Sequence, residues 1–202
     1  VTAVLRPYGD RAWLLEDAAD PIGLADQLRR LLPDGIEVVV GARTCLVRSN
    51  EAPLEHALVA QALDQVLLAR PPVDTDAATI VLRVRYDGED LAGVAEQIGL
   101  EPDDVVALHT RATYRVAFLG FAPGFGYLTG LPEQLHLPRR SMPRVRVPAG
   151  AVAIADRYSA VYPRSSPGGW HLLGTSREWL FDTARKPPAR LAPGDVVRFE
   201  AE

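Results

Sequence analysis

Gly120-Phe121-Ala122-Pro123-Gly124-Phe125-Gly126-Tyr127-Leu128-Thr129-Gly130 begins a run of turn-forming residues that extends to Trp170. Behind it follow Pro138-Arg139-Arg140-Ser141-Met142-Pro143-Arg144, Val147-Pro148-Ala149-Gly150, Tyr162-Pro163 and Ser166-Pro167-Gly168-Gly169-Trp170. Glycine admits backbone angles that other residues avoid and proline fixes one of them, so the run encodes a shaped path that is mostly loop. Aromatic side chains and arginines interleave with these turns, as on a surface that receives something. Loops held on a rigid frame are where such work concentrates.

Outward from this run the chain reads as short strands. Ala151–Ala155, Ser159–Tyr162, His171–Gly174 and Asp195–Glu200 lie on its far side, and Thr113–Leu119 on its near side. Thr79 to Tyr86 alternates with a period of two: Ile80, Leu82, Val84 and Tyr86 face one way, Val81, Arg83 and Arg85 the other. Two short helices are expected between these strands, Asp90 to Ile98 closed by Gly99, and one beginning at Glu101-Pro102-Asp103-Asp104. Many short strands with turns between them predict a compact β-barrel over residues 77–202.

Arg70-Pro71-Pro72-Val73-Asp74-Thr75-Asp76 has no periodicity and marks a domain boundary near residue 76. Residues 1–76 read as an α+β layer, with helices on one face of a small antiparallel sheet. Its strands are expected at 4–8, 11–15, 36–40 and 44–47. One helix is capped by Asp20-Pro21 and buries Leu24, Leu28, Leu31 and Leu32; a second opens at Pro53 and buries Leu54, Leu58, Ala62, Val66 and Leu68 or Ala69.

Composition narrows the function. A net charge of −4 argues against non-specific nucleic-acid binding. No apolar run approaches the length of about 20 residues that crosses a bilayer, and the first residues carry no basic-then-apolar signal, so a cytoplasmic protein is expected. Cys45 is the only cysteine and sits in a strand pattern, as a buried and inert thiol. Lys186 is the only lysine, and no Gly-Lys-Ser/Thr follows the glycines of the opening run, which favours a structural loop over a phosphate cradle. No His/Cys/Asp spacing resembles a metal site.

Among residues able to carry chemistry, Arg139 and Arg144 each stand beside a proline and could hold a carboxylate or phosphate. A solvated role is favoured for Arg140 and Arg146. His109 closes a helix just before Tyr114, where the helix dipole alone is a sufficient reason for it and acid–base work is the alternative. His56 is expected at the surface, and His136 and His171 in packed or exposed roles. No Gly-x-Ser-x-Gly surrounds Ser165 or Ser166, and Pro167-Gly168 reads as a type II turn with Gly168 at positive φ. Phe121, Phe125, Tyr127, Tyr162 and Trp170 fit core packing and pocket walls equally well.

Taken together, Gly120-Phe121-x-Pro123-Gly124-Phe125-x-Tyr127-Leu128-x-Gly130-Leu131, Pro138-Arg139, Pro143-Arg144, Val147-Pro148-Ala149-Gly150, Tyr162-Pro163 and Ser166-Pro167-Gly168-Gly169-Trp170 resemble the allophanate hydrolase subunit 1 family. That family includes the B subunit of bacterial 5-oxoprolinase and a sporulation-kinase inhibitor, and a related region occurs in the carboxyltransferase component of urea carboxylase. The resemblance implies a ferredoxin-like N-terminal domain (1–76) and a cyclophilin-like β-barrel domain (77–202). It also implies a composite site shared with an allophanate hydrolase subunit 2 partner, the 5-oxoprolinase C subunit. The 5-oxoprolinase A subunit would complete ATP-dependent opening of 5-oxoproline, a small acidic substrate. ATP is then the cofactor of the complex, and this chain is inactive alone. His109 and Tyr114 match a histidine and tyrosine of the family, and with Arg144 they are the expected catalytic residues. Phe121, Pro123, Gly124, Phe125, Tyr127, Arg139, Tyr162, Gly168, Gly169 and Trp170 are the expected substrate-binding residues.

Asp156-Arg157-Tyr158-Ser159-Ala160 and Gly174-Thr175-Ser176 depart from the family pattern, losing an amide and a guanidinium. The Ser-Ser-Lys machinery that hydrolyses allophanate is not matched. The alternatives are an inhibitor of a histidine kinase, favoured by an incomplete catalytic set, and a biotin-linked carboxyltransferase component, against which the lost amide and guanidinium count.

Overall fold

The computed structural model describes residues 3–68 and 79–202. The chain forms two compact units, Val1–Asp76 and Ala77–Glu202. The expected boundary segment at 70–76, and Ala69, lie outside the described residues.

The first unit is a four-stranded antiparallel sheet with two helices. Strands β1 (Val4–Pro7), β2 (Ala12–Glu16), β3 (Ile36–Val40) and β4 (Cys45–Ser49) lie in the order β1-β2-β4-β3. The register sets Leu15 and Val40 opposite Cys45, and Trp13 and Val38 opposite Val47. Paired residues share a face, so these side chains form one apolar surface. Helix α1 (Pro21–Leu31) contributes Leu24, Ala25 and Leu28 to the core. Asp20 caps it through a 3.0 Å bond from the Gly23 N–H.

Leu31 of the expected stripe is largely exposed, while Leu32 is buried just past the helix end. Helix α2 (His56–Leu68) starts three residues later than Pro53 suggests, because Leu54 is held outside it. The Leu54 N–H donates to Asp10 O at 3.1 Å, and the Leu54 carbonyl accepts from Trp13 Nε1 at 2.8 Å. The inner face shifts accordingly to Val59, Ala62, Leu63 and Val66, with Leu58 half-buried and Leu68 exposed. In chain order the unit is ββαββα, where a ferredoxin-like unit runs βαββαβ. What the two share is the α+β layering.

The second unit is a seven-stranded mixed sheet that nearly closes into a barrel. Its strands are β5 (Thr79–Val84), β6 (Tyr114–Leu119), β7 (Gly126–Thr129), β9 (Ala151–Ala155), β10 (Tyr158–Val161), β12 (His171–Thr175) and β13 (Val196–Ala201), in the order β12-β9-β10-β7-β6-β13-β5. All neighbours are antiparallel except β13 and β5, and a bridge from Arg85 to Thr175 joins the two edges. Closure leaves little unpaired edge. Leu82, Val84, Val116, Leu128, Val152, Ile154, Leu173, Val197 and Phe199 fill the interior. Helices α3 (Leu91–Ile98) and α4 (Pro102–Arg111) add Val94, Ala95 and Val105 to that core.

Three pieces of the expected loop are strands: β7, β8 (Arg144–Val147) and β11 (Ser166–Gly168), the last two forming a separate antiparallel ribbon. Gly168 is therefore not at the positive-φ position of a type II turn. It lies opposite Arg144, and a Cβ there would stand 2.3 Å from the Tyr162 hydroxyl oxygen. Close approach is what requires glycine at this position.

Cys45 is buried, its thiol directed at Pro21 O at 3.1 Å, and burial pushes its pKa up to about 12. Thiolate is the reactive form. A thiol reagent at pH 8 is expected to label Cys45 only as fast as the first unit opens, and fast stoichiometric labelling of folded protein would contradict this packing.

Candidate functional site

Strand β9 is buried on both faces, and its alternation explains how. Val152 and Ile154 point into the barrel, while Ala151, Ala153 and Ala155 belong to a second cluster with Phe125, Val147, Tyr162, Trp170 and Leu172. The short alanines leave room for a layer of rings on the outside of the barrel wall. Phe125 is the hub of that layer. It meets Phe121, Tyr127, Tyr162 and Trp170 edge to face, with centroids 5.1, 5.1, 5.2 and 5.5 Å away. Such pairs contribute about 0.5–1.5 kcal/mol each beyond their burial.

Eight of the ten expected substrate-binding residues line one small pocket in this layer: Phe121, Phe125, Tyr127, Arg139, Tyr162, Gly168, Gly169 and Trp170. Its volume is about 60 Å³. Phe125, Tyr162 and Trp170 are buried walls, whereas Phe121 and Arg139 are exposed at the mouth. The Arg139 guanidinium lies 6.0 Å from the Trp170 ring centroid, and its ion-pair contact is a long one, 3.9 Å to Asp156. Burial raises the pKa of the Tyr127 and Tyr162 phenols, an effect that the charge of Arg139 partly offsets. Both remain protonated donors at neutral pH. Among the described residues no carboxylate lines the pocket. Aromatic walls, phenolic donors and one loosely held cation suit a flat, apolar body carrying an anionic group.

Pro123 and Gly124 do not line the pocket. Pro123 is exposed, and Gly124 adopts φ +80° against Leu180 and Phe181, where a Cβ would come within 2.8 Å of the Leu180 carbonyl oxygen. Within this loop the Gly120 N–H donates to Phe125 O, Ala122 N–H to Gly120 O and Phe125 N–H to Ala122 O. Three of its amides are thus used inside the loop.

The three expected catalytic residues do not meet at the pocket. His109 and Tyr114 belong to the barrel interior, and His109 is completely buried. Ser159 Oγ–H donates to Ala153 O at 3.3 Å, so it accepts from His109 Nε2–H at 2.9 Å. His109 Nδ1 is then the bare nitrogen and accepts the Tyr86 hydroxyl at 2.8 Å. Tyr114 donates to the His109 carbonyl at 2.9 Å. Both ring nitrogens are thus satisfied inside the barrel, and the imidazole does not line the pocket. Ser159, one of the departures from the family pattern, is a partner in this chain of bonds.

Arg144 is not free to hold a ligand either. It pairs with Glu89 and, at 2.7 Å, with Asp90 Oδ1, and its Nη1 lies 3.5 Å from Trp170 O. Asp90 is the residue the sequence does not betray: it reads only as the first residue of an expected helix, and at the N-cap of α3 its side chain makes no capping bond. Its Oδ1 accepts Arg140 and Arg144, both at 2.7 Å, and its Oδ2 accepts the Leu172 N–H at 2.7 Å. One carboxylate thus ties the start of α3 to the arginine loop and to β12. Arg140, expected to be solvated, is a half-buried member of this clasp.

Arg146 is exposed and reaches Ser165 Oγ at 3.2 Å. His56 is exposed against Trp13, while His136 and His171 sit 2.9 Å from the Leu131 and Pro138 carbonyls. Among the described residues no cluster of His, Cys, Asp and Glu could hold a metal ion, and no helix is long and apolar enough to cross a membrane.

The class of protein to which this fold and site belong is given by the family of the carboxyltransferase domain, subdomain C and D, which matches residues 3–191. The 5-oxoprolinase B subunit of Escherichia coli O157:H7 is 41% identical over 204 residues, taking in 95% of this chain and 92% of that protein. The chain belongs to the family of 5-oxoprolinase B subunits, the allophanate hydrolase subunit 1 family. The crystal structure of TTHA0988 matches 95% of the chain with a TM-score of 0.82 and 37% identity, and the chain spans 40% of that polypeptide. Kluyveromyces lactis urea amidolyase, 18% identical with a TM-score of 0.74 over 99% of this chain and 15% of its own, shares the fold.

The buried groups make the stability of this unit depend on pH and on one carboxylate. Burial lowers the His109 pKa from 6.5 to about 3, so folding favours the neutral ring. Its contribution is complete above pH 6.5 and is lost as pH falls from 6.5 towards 3, at up to about 1.4 kcal/mol per pH unit. His109→Gln is expected to cost about 2 kcal/mol at pH 7 and to flatten that slope, as read by urea unfolding at a series of pH values. Asp90→Ala is expected to cost about 3 kcal/mol by leaving two arginines and an amide without their acceptor. It should also disorder Trp170, visible in the near-ultraviolet circular dichroism.

Proposed function

We propose that this chain is a subunit of an ATP-dependent 5-oxoprolinase-type hydrolase and that its aromatic pocket is its share of a composite site. The observation that carries this reading is the pocket edged by Arg139: flat apolar walls, phenolic donors and a cation held only loosely. A five-membered cyclic amide bearing a carboxylate has the matching chemistry, with its ring between the aromatic side chains and its anion at the guanidinium. The name of the E. coli relative supports the substrate class.

No general base faces this pocket among the described residues. The phenols are held protonated, His109 is sealed in the barrel and Arg144 is neutralised by carboxylates. What this chain contributes is therefore binding and orientation, together with exclusion of water by the ring layer. The groups that attack or move protons would come from the 5-oxoprolinase C subunit, and ATP would be bound by the rest of the complex, including the A subunit. The greater length of the TTHA0988 polypeptide, of which this chain matches 40%, is consistent with a partner in close association.

Co-expression with the A and C subunits is expected to give 5-oxoproline-dependent ATP hydrolysis that this chain alone lacks. Arg139→Ala should lower kcat/KM for 5-oxoproline by about 100-fold, whereas His109→Gln should act only through stability. Turnover indifferent to Arg139→Ala would remove the pocket from the site.

A further inference from the structure

The pocket as it stands is too small for its proposed ligand. Its volume is about 60 Å³, and small-molecule sites are usually several times larger. Its walls differ in how firmly they are held. Phe125, Tyr162 and Trp170 are held at 1%, 2% and 4% exposure within the ring layer, whereas Phe121 is 59% exposed.

Phe121 also carries an unfavourable backbone. Its φ of +65° is in the left-handed region, which costs a residue with a bulky side chain. The other non-glycine residues at positive φ among those described are Asp17 and Asp156, a type that tolerates it. The flanks of Phe121 are fixed: Gly120 and Ala122 are tied by loop hydrogen bonds, and Gly124 is wedged on Leu180 and Phe181. The ring itself is held by edge-to-face contacts with Phe125 at 5.1 Å and Tyr162 at 6.1 Å. Strained backbone of this kind concentrates at ligand clamps and switch regions, where binding can release it.

We infer that the Phe121 ring is a built-in occupant of the pocket, and that it gives way to a flat cyclic carboxylate which takes its place against Phe125 and Tyr162. The inference rests on the pocket being the ligand site, as proposed above. Phe121 then sets both the size of ligand admitted and the cost of admission, because a ligand that must displace a resident group binds more weakly by the fraction of time the site is open.

The test is stopped-flow and equilibrium binding of 5-oxoproline to the assembled complex, with Phe121→Gly, Phe121→Asn and Phe121→Tyr. Glycine and asparagine both accept the left-handed backbone and remove the ring, so two independent variants guard against a folding defect in either. For both, the association rate constant is expected to rise about tenfold with the dissociation rate little changed, giving tighter binding. Phe121→Tyr, which keeps the ring, should lack the faster association of the other two. If glycine and asparagine instead speed dissociation and weaken binding, Phe121 is an ordinary wall of an open site and the inference falls while the pocket stands. If the parent and all variants fail to bind 5-oxoproline, the proposed function falls, and this inference with it.

Discussion

Strand β9 has to be buried twice, and the second unit is built around that requirement. One face completes the interior of a nearly closed barrel; the other carries a sheet of aromatic rings. The two environments differ in depth. Val152 and Ile154 reach the barrel axis, where branched side chains fill volume at native density. Alanine on the opposite face keeps the wall thin, so Phe125, Tyr162 and Trp170 can lie against it and still be almost fully buried. Larger residues there would lift the rings off the wall.

The aromatic layer could not hold its shape on ring contacts alone. Trp170 reaches it at the end of the short ribbon β8–β11 (144–147 and 166–168), and that ribbon is fastened by charge. Asp90, with two arginines on one oxygen and a β12 amide on the other, closes a circuit from helix α3 through the arginine loop to the residues after Trp170. A buried carboxylate that satisfies three donors is a costly element when any one partner is lost, which is why it specifies a single arrangement of the loops. Arg144, which chemical type alone marks as a ligand-binding residue, thereby becomes structural. Arg139, its neighbour in kind, stays available because the carboxylate within its reach is a distant one.

Much of the frame was legible in the sequence because it depends on local rules. The alternation of Thr79–Tyr86 marks a strand with Leu82 and Val84 inward, and Asp20-Pro21 marks the start of a helix. The aromatic members of the pocket were only half legible from the residues, since rings interleaved with turn glycines serve core and pocket wall alike. What escaped was set by distant partners. Gly168 looks like a turn glycine until the Tyr162 hydroxyl, which excludes any side chain, is placed beside it. Asp90 looks like no more than the start of a helix until the donors it accepts are found 50, 54 and 82 residues along the chain. His109 invites a catalytic reading by its type, but tautomer and burial are decided by Tyr86 and Ser159, neither of which is near it in sequence.

The division of labour within the second unit follows from these placements. Its titratable groups with the largest displacements are His109 and Tyr114 in the barrel interior and Tyr86 packed against it, where burial suppresses their charged forms. Such perturbation often marks an active site, but here desolvation is the leading cause in all three, and none of them lines the pocket. The pocket on the barrel wall has the opposite character: protonated phenols, aromatic faces and a loosely held cation, with no group poised to exchange a proton near neutral pH. An enclosure of that kind can select and orient a ligand but cannot activate water or a carbonyl by acid–base chemistry. In the composite site proposed above, the groups that do chemistry lie on a second surface, which would approach over the exposed sides of Phe121 and Arg139.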